Sequence, residues 1–141
     1  MEDEFSVINK TKIKLPDLPI LDIKNDILGK KYSFSLAYIT EKKMKEINKT
    51  YREKNNPTNI LSFPLSKTSG EILICPNVVK SETKKFDRNF RELLGFLVIH
   101  GMLHLKGMEH SSRMEVAEDK YDKKYFNRNR HGVNDDESCC R

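Results

Sequence analysis

Three of the four histidines of this chain lie close together, in the segment H-G-M-L-H-L-K-G-M-E-H at residues 100–110. His100 and His104 are four residues apart, a spacing that places two imidazoles on one face of a helix. Gly107 can take the left-handed conformation that ends a helix and turns the chain back, so that His110 can approach the same point. Neutral imidazoles suit zinc, and three protein ligands leave one position for water. The spacing therefore predicts a zinc site formed by His100, His104 and His110.

A lone histidine on an apolar helix is more often a hydrogen-bonded core residue than a ligand. Two neighbouring buried imidazoles each need a polar partner, however, and a shared metal ion satisfies both. The spacing is also that of the metzincin peptidase pattern H-E-x-x-H-x-x-G-x-x-H. In that pattern the residue after the first histidine is the catalytic Glu, whereas here it is Gly101, which has no side chain to act as a base. The sequence thus has the histidines of the metal site but lacks the catalytic Glu, which argues against peptidase activity.

The segment Phe90–Leu105 is almost wholly apolar and is too long for one strand, so it predicts a buried helix that carries the first two histidines. Asn89 and Glu92 have the spacing of a capping box at its start, and Gly107 ends it. A last amphipathic helix is expected over residues 112–126, and its inward-facing residues are predicted to be Val116, Tyr121 and Tyr125.

The remaining pattern is one of short strands and helices without regular alternation, which favours the α+β class, with a small mixed β-sheet packed on helices. Polar and proline-containing turns separate these elements. The predicted strands cover residues 5–15, 32–39, 60–63 (at or near a sheet edge, ended by Pro64) and 71–75 (ended by Pro76), and the predicted helices cover 17–29, closed by Gly29, and the segment after Thr40.

The length of 141 residues fits a single domain over residues 1–141, and the polar tail from about residue 128 is expected to be mobile. The longest apolar run, Leu93–Ile99, is far shorter than the ~18–20 residues that cross a bilayer, so no membrane span is expected. The acidic start MEDEF is unlike a signal peptide. Three cysteines without a disulfide-framework spacing fit a reducing cytosol, so we expect a cytoplasmic protein.

The net charge of +5 is concentrated in two basic stretches, residues 42–54 and 80–91. A basic surface favours a polyanionic partner, with nucleic acid as the first candidate. The alternative is a solvated lysine-rich face without a specific partner.

The chain resembles the YbeY family of bacterial endoribonucleases in three blocks that follow one another in the family's order and spacing. These are the histidine segment 100–110, the block NKTYR…KNNPTNILSFP at residues 48–64, and the strand GEILIC at residues 70–75. The resemblance covers about residues 32–126. The chain departs from the family pattern at Met108, where an aromatic residue is usual, and at Glu109, where Asp is usual.

The resemblance implies an α+β fold with a metzincin-like helix, in which His100, His104 and His110 are the zinc ligands. It further implies a metal-dependent, single-strand-specific endoribonuclease that acts in 16S rRNA 3′-end maturation and ribosome quality control, with the small ribosomal subunit as partner. Arg52 matches the family's cleft arginine. Its guanidinium fork fits phosphate oxygens and can stabilise charge that develops in the transition state. The three histidines and Arg52 are accordingly the expected catalytic residues.

Two other functions are open at this point. One is another zinc hydrolase, such as a peptidase, and the other is a ribosome or RNA-binding assembly factor whose zinc is mainly structural. Glu109 has two interpretations as well, because it could orient an imidazole or a water at the site, or it could be an exposed carboxylate in a turn.

Overall fold

The computed structural model describes residues 4–52 and 58–126, and the predicted mobile tail from about residue 128 lies outside this part. Nine elements follow one another along the described chain. They are β1 (Phe5–Asn9), α1 (Ile20–Ile27), β2 (Ser33–Tyr38), α2 (Glu41–Arg52), β3 (Ile60–Ser66), β4 (Ser69–Ile74), α3 (Pro76–Ser81), α4 (Phe90–Leu105) and α5 (Ser112–Phe126). The predicted α+β class is confirmed.

The four strands form one mixed sheet in the order β1-β2-β4-β3. The β1–β2 and β2–β4 pairs are parallel, and β3 pairs with β4 in the antiparallel sense. The predicted edge position of β3 is confirmed. The prediction that Pro64 ends this strand is wrong, because β3 continues to Ser66 with a shift of register between Pro64 and Ser66. An edge strand tolerates a proline, whose missing N–H can face away from the ladder.

The two faces of the sheet bury different sets of side chains, as the two-residue period of strands requires. One face packs against α4 through residues such as Phe34, Leu36 and Ile72, which belong to the larger core. The other face carries a smaller cluster that includes Ala37, Leu73 and Met44 of α2. Helix α2 therefore covers one side of the sheet, and α4 covers the other.

Helix α4 has the predicted bounds, and the predicted capping box is present. The Asn89 side chain accepts a hydrogen bond from the Glu92 amide at 2.8 Å, and the Glu92 carboxylate accepts one from the Asn89 amide at 3.0 Å. At the other end, the Gly107 amide donates to the His104 carbonyl at 2.9 Å and the Met108 amide donates to the Leu103 carbonyl at 3.0 Å. These two bonds are those of a Schellman motif, with Gly107 at a φ of 106° as the left-handed residue.

Helix α5 also has the predicted bounds, but one of its three expected inward residues is wrong. Tyr121 is buried and Tyr125 packs partly buried against the core, whereas Val116 is 69% exposed. The buried stripe of α5 begins at Met114. Val116 lies two residues further on, which is about 200° round the helix and thus on the opposite face.

Other boundaries also differ from expectation: α1 spans Ile20–Ile27 instead of residues 17–29, and β4 spans Ser69–Ile74 instead of residues 71–75. Strand β1 ends at Asn9 instead of extending to residue 15, because the Asn9 side chain accepts from the Thr11 amide and donates to the Ile13 carbonyl, both at 2.9 Å. These bonds form a turn. After β4, Pro76 begins the short helix α3 as well as ending the strand, in the first helical position where a proline is tolerated. None of the described helices has the length and apolar character of a membrane span.

Candidate metal centre

The end of α4 and the turn that follows it bring the three predicted ligands together. One nitrogen from each of His100, His104 and His110 can be chosen so that all three atoms lie within 4.8 Å of one another. The ring centroids are 4.4 Å apart for His100 and His104, 5.2 Å for His100 and His110, and 4.9 Å for His104 and His110. His100 is buried, His104 is half-buried and His110 is exposed. The cluster is therefore anchored in the core at one side and open to solvent at the other.

The hydrogen bonds of the two helical histidines orient their rings for metal binding. His104 Nδ1 lies 2.9 Å from the Met108 carbonyl oxygen, which can only accept, so Nδ1 carries the proton. His100 Nδ1 faces the Glu118 carboxylate, which is again an acceptor. This assignment of protons leaves a lone pair on each Nε2, and the two Nε2 atoms are 2.9 Å apart. Two lone pairs at this distance cannot hydrogen-bond to each other, whereas a cation beside them satisfies both. The donor set thus fits a divalent metal that prefers imidazole, such as zinc.

The surroundings of His104 also favour a neutral imidazole. Burial lowers the pKa of the His104 imidazole, and the neighbouring His100 lowers it further. A lowered pKa keeps the ring neutral, which is the form that ligates a metal.

Glu118 is a candidate site residue that sequence reasoning missed. It lies on α5, 18 residues after His100, and only 4% of it is exposed. A buried carboxylate that accepts the Nδ1 proton of a ligating histidine fixes the ring's tautomer and raises its basicity. A signal was present in the sequence, because Glu118 is one helical turn after Met114 and three residues before Tyr121, on the stripe that faces the core.

A buried ion pair lies close to this contact. Arg88 Nη2 is 2.9 Å from Asp122 Oδ2, and both side chains are almost fully buried. The Arg88 guanidinium also stacks over the Phe96 ring at 4.5 Å, and that ring lies 6.2 Å from the His100 ring. Because Asp122 is one turn after Glu118, this pair holds the same face of α5 that carries Glu118.

The structure places the other predicted residues as follows. Glu109 is exposed in the turn, and the carboxylate that contacts a ligand histidine is Glu118 instead. Arg52 is the last residue of α2, and its side chain lies outside the part of the chain that the structure describes.

Gly101 lies where α4 packs against the sheet. A Cβ at this position would come within 2.8 Å of Ile72 Cδ1, 3.0 Å of Ile60 Cδ1 and 3.1 Å of Ser62 Oγ. A larger side chain at this position would have to displace the ends of these neighbouring side chains. The argument against a peptidase remains the absence of a side chain at Gly101 that could act as a base.

Comparison with known proteins agrees with this geometry. Residues 7–128 match the family described as Endoribonuclease YbeY. A protein of that name from Thermotoga neapolitana is 36% identical over 93 residues, which are 65% of this chain and 62% of that protein. One from Francisella philomiragia is 30% identical over 130 residues, which are 81% of this chain and 82% of that protein.

The matched region covers 62% of the Thermotoga neapolitana protein and 57% of a protein of the same name from Buchnera aphidicola. It therefore spans less than two thirds of the length of each of these relatives. The fold itself is similar to the solution structure of TM1509 from Thermotoga maritima, with a TM-score of 0.63 and 26% identity over 87% of this chain and 89% of that one. The family match extends over most of the chain and includes all three clustered histidines, so this chain belongs to the YbeY family.

Proposed function

We propose that this protein is a zinc-dependent, single-strand-specific endoribonuclease. The observation that carries the proposal is the pair of anchored imidazoles, His100 and His104, which present two Nε2 atoms 2.9 Å apart beside His110. Relatives named Endoribonuclease YbeY and the family match give the reaction class.

Each residue of the site has a distinct role in this proposal. His100, His104 and His110 hold the metal, and Glu118 keeps the His100 ring in its ligating orientation. A zinc ion held there would supply Lewis acidity for the activation of water and the polarisation of a phosphate oxygen. Arg52 binds a non-bridging phosphate oxygen of the substrate, where its guanidinium stabilises the negative charge that grows as the P–O bond breaks.

An open coordination position favours a catalytic metal over a purely structural one. Among the described residues, the ligand cluster has three members, whereas structural zinc sites are almost always closed by four. The exposure of His110 leaves a route by which a phosphodiester could approach.

In the cell, we propose that the substrate is the 3′ end of 16S rRNA, that the small ribosomal subunit is the partner, and that the protein works in the cytoplasm in rRNA maturation and ribosome quality control. The family resemblance supports this placement, and the basic stretches at residues 42–54 and 80–91 suit a polyanionic substrate.

The test is cleavage of an unstructured RNA by a matched set of variants. His104→Ala should remove both metal binding and cleavage, and Arg52→Ala should retain the metal but slow cleavage by about a hundredfold, the effect of losing one transition-state donor. His131→Ala changes the remaining histidine of the chain, in its polar tail, and should leave the rate unchanged. If His104→Ala folds, binds no metal and still cleaves at the wild-type rate, the proposal is wrong. If His104→Ala still binds the small ribosomal subunit and wild type shows no cleavage, the better account is an assembly factor whose zinc is mainly structural.

A further inference from the structure

We propose a second RNA-binding site on the face of the sheet that α2 partly covers, where an unpaired nucleobase stacks on Tyr51 and Phe63. It is a groove of about 460 Å³, within the range of about 300–1,000 Å³ that small-ligand pockets occupy. This inference rests on the proposed function, since it names how the same single-stranded substrate is gripped at a distance from the histidines.

The groove exists because α2 leaves one half of this sheet face uncovered. Ala37 and Leu73 are buried in the cluster under α2, whereas Ser35 and Glu71 further along the same two strands are only half-buried. Ser35 and Glu71 are paired in register between β2 and β4, and Phe63 of β3 is opposite Glu71. The row Ser35–Glu71–Phe63 is therefore an accessible strip across three strands, with a small side chain at one end and a ring at the other.

Two aromatic rings form one wall of this groove. Tyr51, near the end of α2, is 69% exposed, and its ring centroid is 5.7 Å from that of the half-buried Phe63 at an interplanar angle of 66°. A flat apolar partner that covers this exposed ring removes apolar surface from water, which is favourable. Rings on an open sheet face are the arrangement on which proteins stack the bases of single-stranded RNA, because every base offers a flat π-face.

The charges around the groove select a polyanion as the occupant. Lys10 and Lys43 line it, and α2 carries four lysines in the sequence EKKMKEINKTYR. Lys43 is 4.0 Å from Glu46, but both side chains are more than half exposed, so that this pair leaves the lysine available to a phosphate. A strand of RNA would thus place its backbone along α2 and a base in the groove.

Glu71 is the one acidic residue among those that line this groove, and it makes the base contact selective. A carboxylate repels phosphate but accepts hydrogen bonds from exocyclic amines such as cytosine N4. Uracil presents carbonyl oxygens at the corresponding edge. We therefore expect the site to prefer an amine-bearing base over uracil.

This surface and the histidine cluster lie on opposite faces of the sheet. Phe63 of edge strand β3 faces the α2 side, whereas Ile60 of the same strand belongs to the core under α4, the helix that carries His100 and His104. One path by which an RNA strand could reach both places passes over β3 at the edge of the sheet.

The test compares the affinity of the full-length, metal-loaded chain for a fluorescein-labelled unstructured RNA, measured by anisotropy on ice with the RNA checked for intactness on a gel. Tyr51→Leu retains apolar area but removes the ring, and we expect it to bind about tenfold more weakly, the loss of one stacked base. Tyr51→Phe retains the ring and should bind like wild type. Val116→Ala, at a residue of equal exposure on α5, is the off-site control.

Base preference provides a second measurement. Wild type should bind oligocytidylate more tightly than oligouridylate, and Glu71→Gln should reduce that preference, since an amide can also donate to a uracil carbonyl. Equal affinities for the two oligonucleotides in wild type would overturn the role of Glu71.

The outcomes separate this site from the proposed activity. If Tyr51→Leu binds RNA as wild type does while His104→Ala has lost cleavage, the stacking site is wrong and the nuclease stands, and a protein becomes the partner to seek for this face. If Tyr51→Leu loses affinity although wild type shows no metal-dependent cleavage, the stacking site is upheld and the nuclease is wrong.

Discussion

At the scale of single residues, the metal site depends on which nitrogen of each imidazole carries the proton. The Met108 carbonyl fixes this for His104, and the Glu118 carboxylate fixes it for His100. The first of these acceptors is built into the Schellman turn, whereas the second comes from a different helix. Glu118 is therefore the side chain through which metal affinity can be changed without touching a ligand.

We predict that Glu118→Gln weakens zinc binding by about 10- to 100-fold, the usual effect of removing a carboxylate behind a ligating histidine. The amide can still accept from Nδ1 but no longer stabilises the ring by its charge. Competition with a chromophoric chelator measures the affinity. Glu115→Gln, at an exposed glutamate of the same helix, is the matched control. Unchanged zinc affinity in a folded Glu118→Gln protein would remove this residue from the site.

The clustering of the three histidines could be predicted from sequence because their spacing and the helix-ending glycine are local features. Glu118 could not be predicted in the same way, since its contact with His100 depends on how α5 packs against α4. The groove beside Tyr51 was missed for a similar reason, because its walls come from β2, β3, β4 and α2.

At the scale of elements, the turn after α4 decides whether His110 reaches the other two histidines. Gly107 has a φ of 106°, which only glycine adopts without strain, and nothing lies within 4 Å of the position where a Cβ would be. A substitution at Gly107 would therefore lower stability through the strained backbone conformation, and not through steric crowding.

We predict that Gly107→Ala lowers the free energy of unfolding by about 1–2 kcal/mol, the cost of a left-handed non-glycine residue, and also weakens zinc binding by displacing His110. Gly107→Asn should have a smaller effect on both, because asparagine tolerates this conformation better. Chemical denaturation and zinc competition on the same samples measure the two quantities. A Gly107→Ala protein with wild-type stability would show that the turn relaxes to another conformation.

The segment before α4 is tied to α5 by the buried pair of Arg88 and Asp122. We predict that Asp122→Asn destabilises the fold by about 3 kcal/mol, since it leaves a buried guanidinium without its counter-charge. The double variant Arg88→Met, Asp122→Leu should recover much of that loss, because apolar side chains of similar size remove both buried charges. Denaturation midpoints measure the stability of these variants. A double variant that is less stable than Asp122→Asn would contradict this account.

Most elements were predictable, and the exceptions have physical causes. The bounds of α4 and α5 follow from caps and from a helical apolar period, which are properties of the local sequence. The strand order β1-β2-β4-β3 depends on contacts between distant segments, so no local pattern specifies it. The continuation of β3 past Pro64 is tolerated because β3 is an edge strand, a position that only the assembled sheet defines fully.

At the scale of the whole molecule, the proposed single-stranded RNA substrate would engage both the basic side chains and the aromatic groove. The net charge of +5 attracts polyanions in general, and the groove lined by Tyr51 and Phe63 favours those with unpaired bases.

We predict that RNA affinity falls steeply with salt. A path that engages several lysines releases counterions from the strand, and each neutralised phosphate contributes a slope of about −0.7 in log affinity against log salt for a single strand. Anisotropy titrations over a range of KCl concentrations measure this slope. A slope near zero would mean that the basic stretches at residues 42–54 and 80–91 are solvated surface without a role in binding.

The most direct test of the central claim is to titrate zinc into metal-stripped protein and to measure bound zinc per chain and the initial rate of RNA cleavage in the same samples. If His100, His104 and His110 hold the ion on which cleavage depends, the rate rises in proportion to bound zinc, saturates at one ion per chain, and stays at background in His104→Ala. Cleavage by the stripped protein, or a rate that does not change as the site fills, would contradict the account.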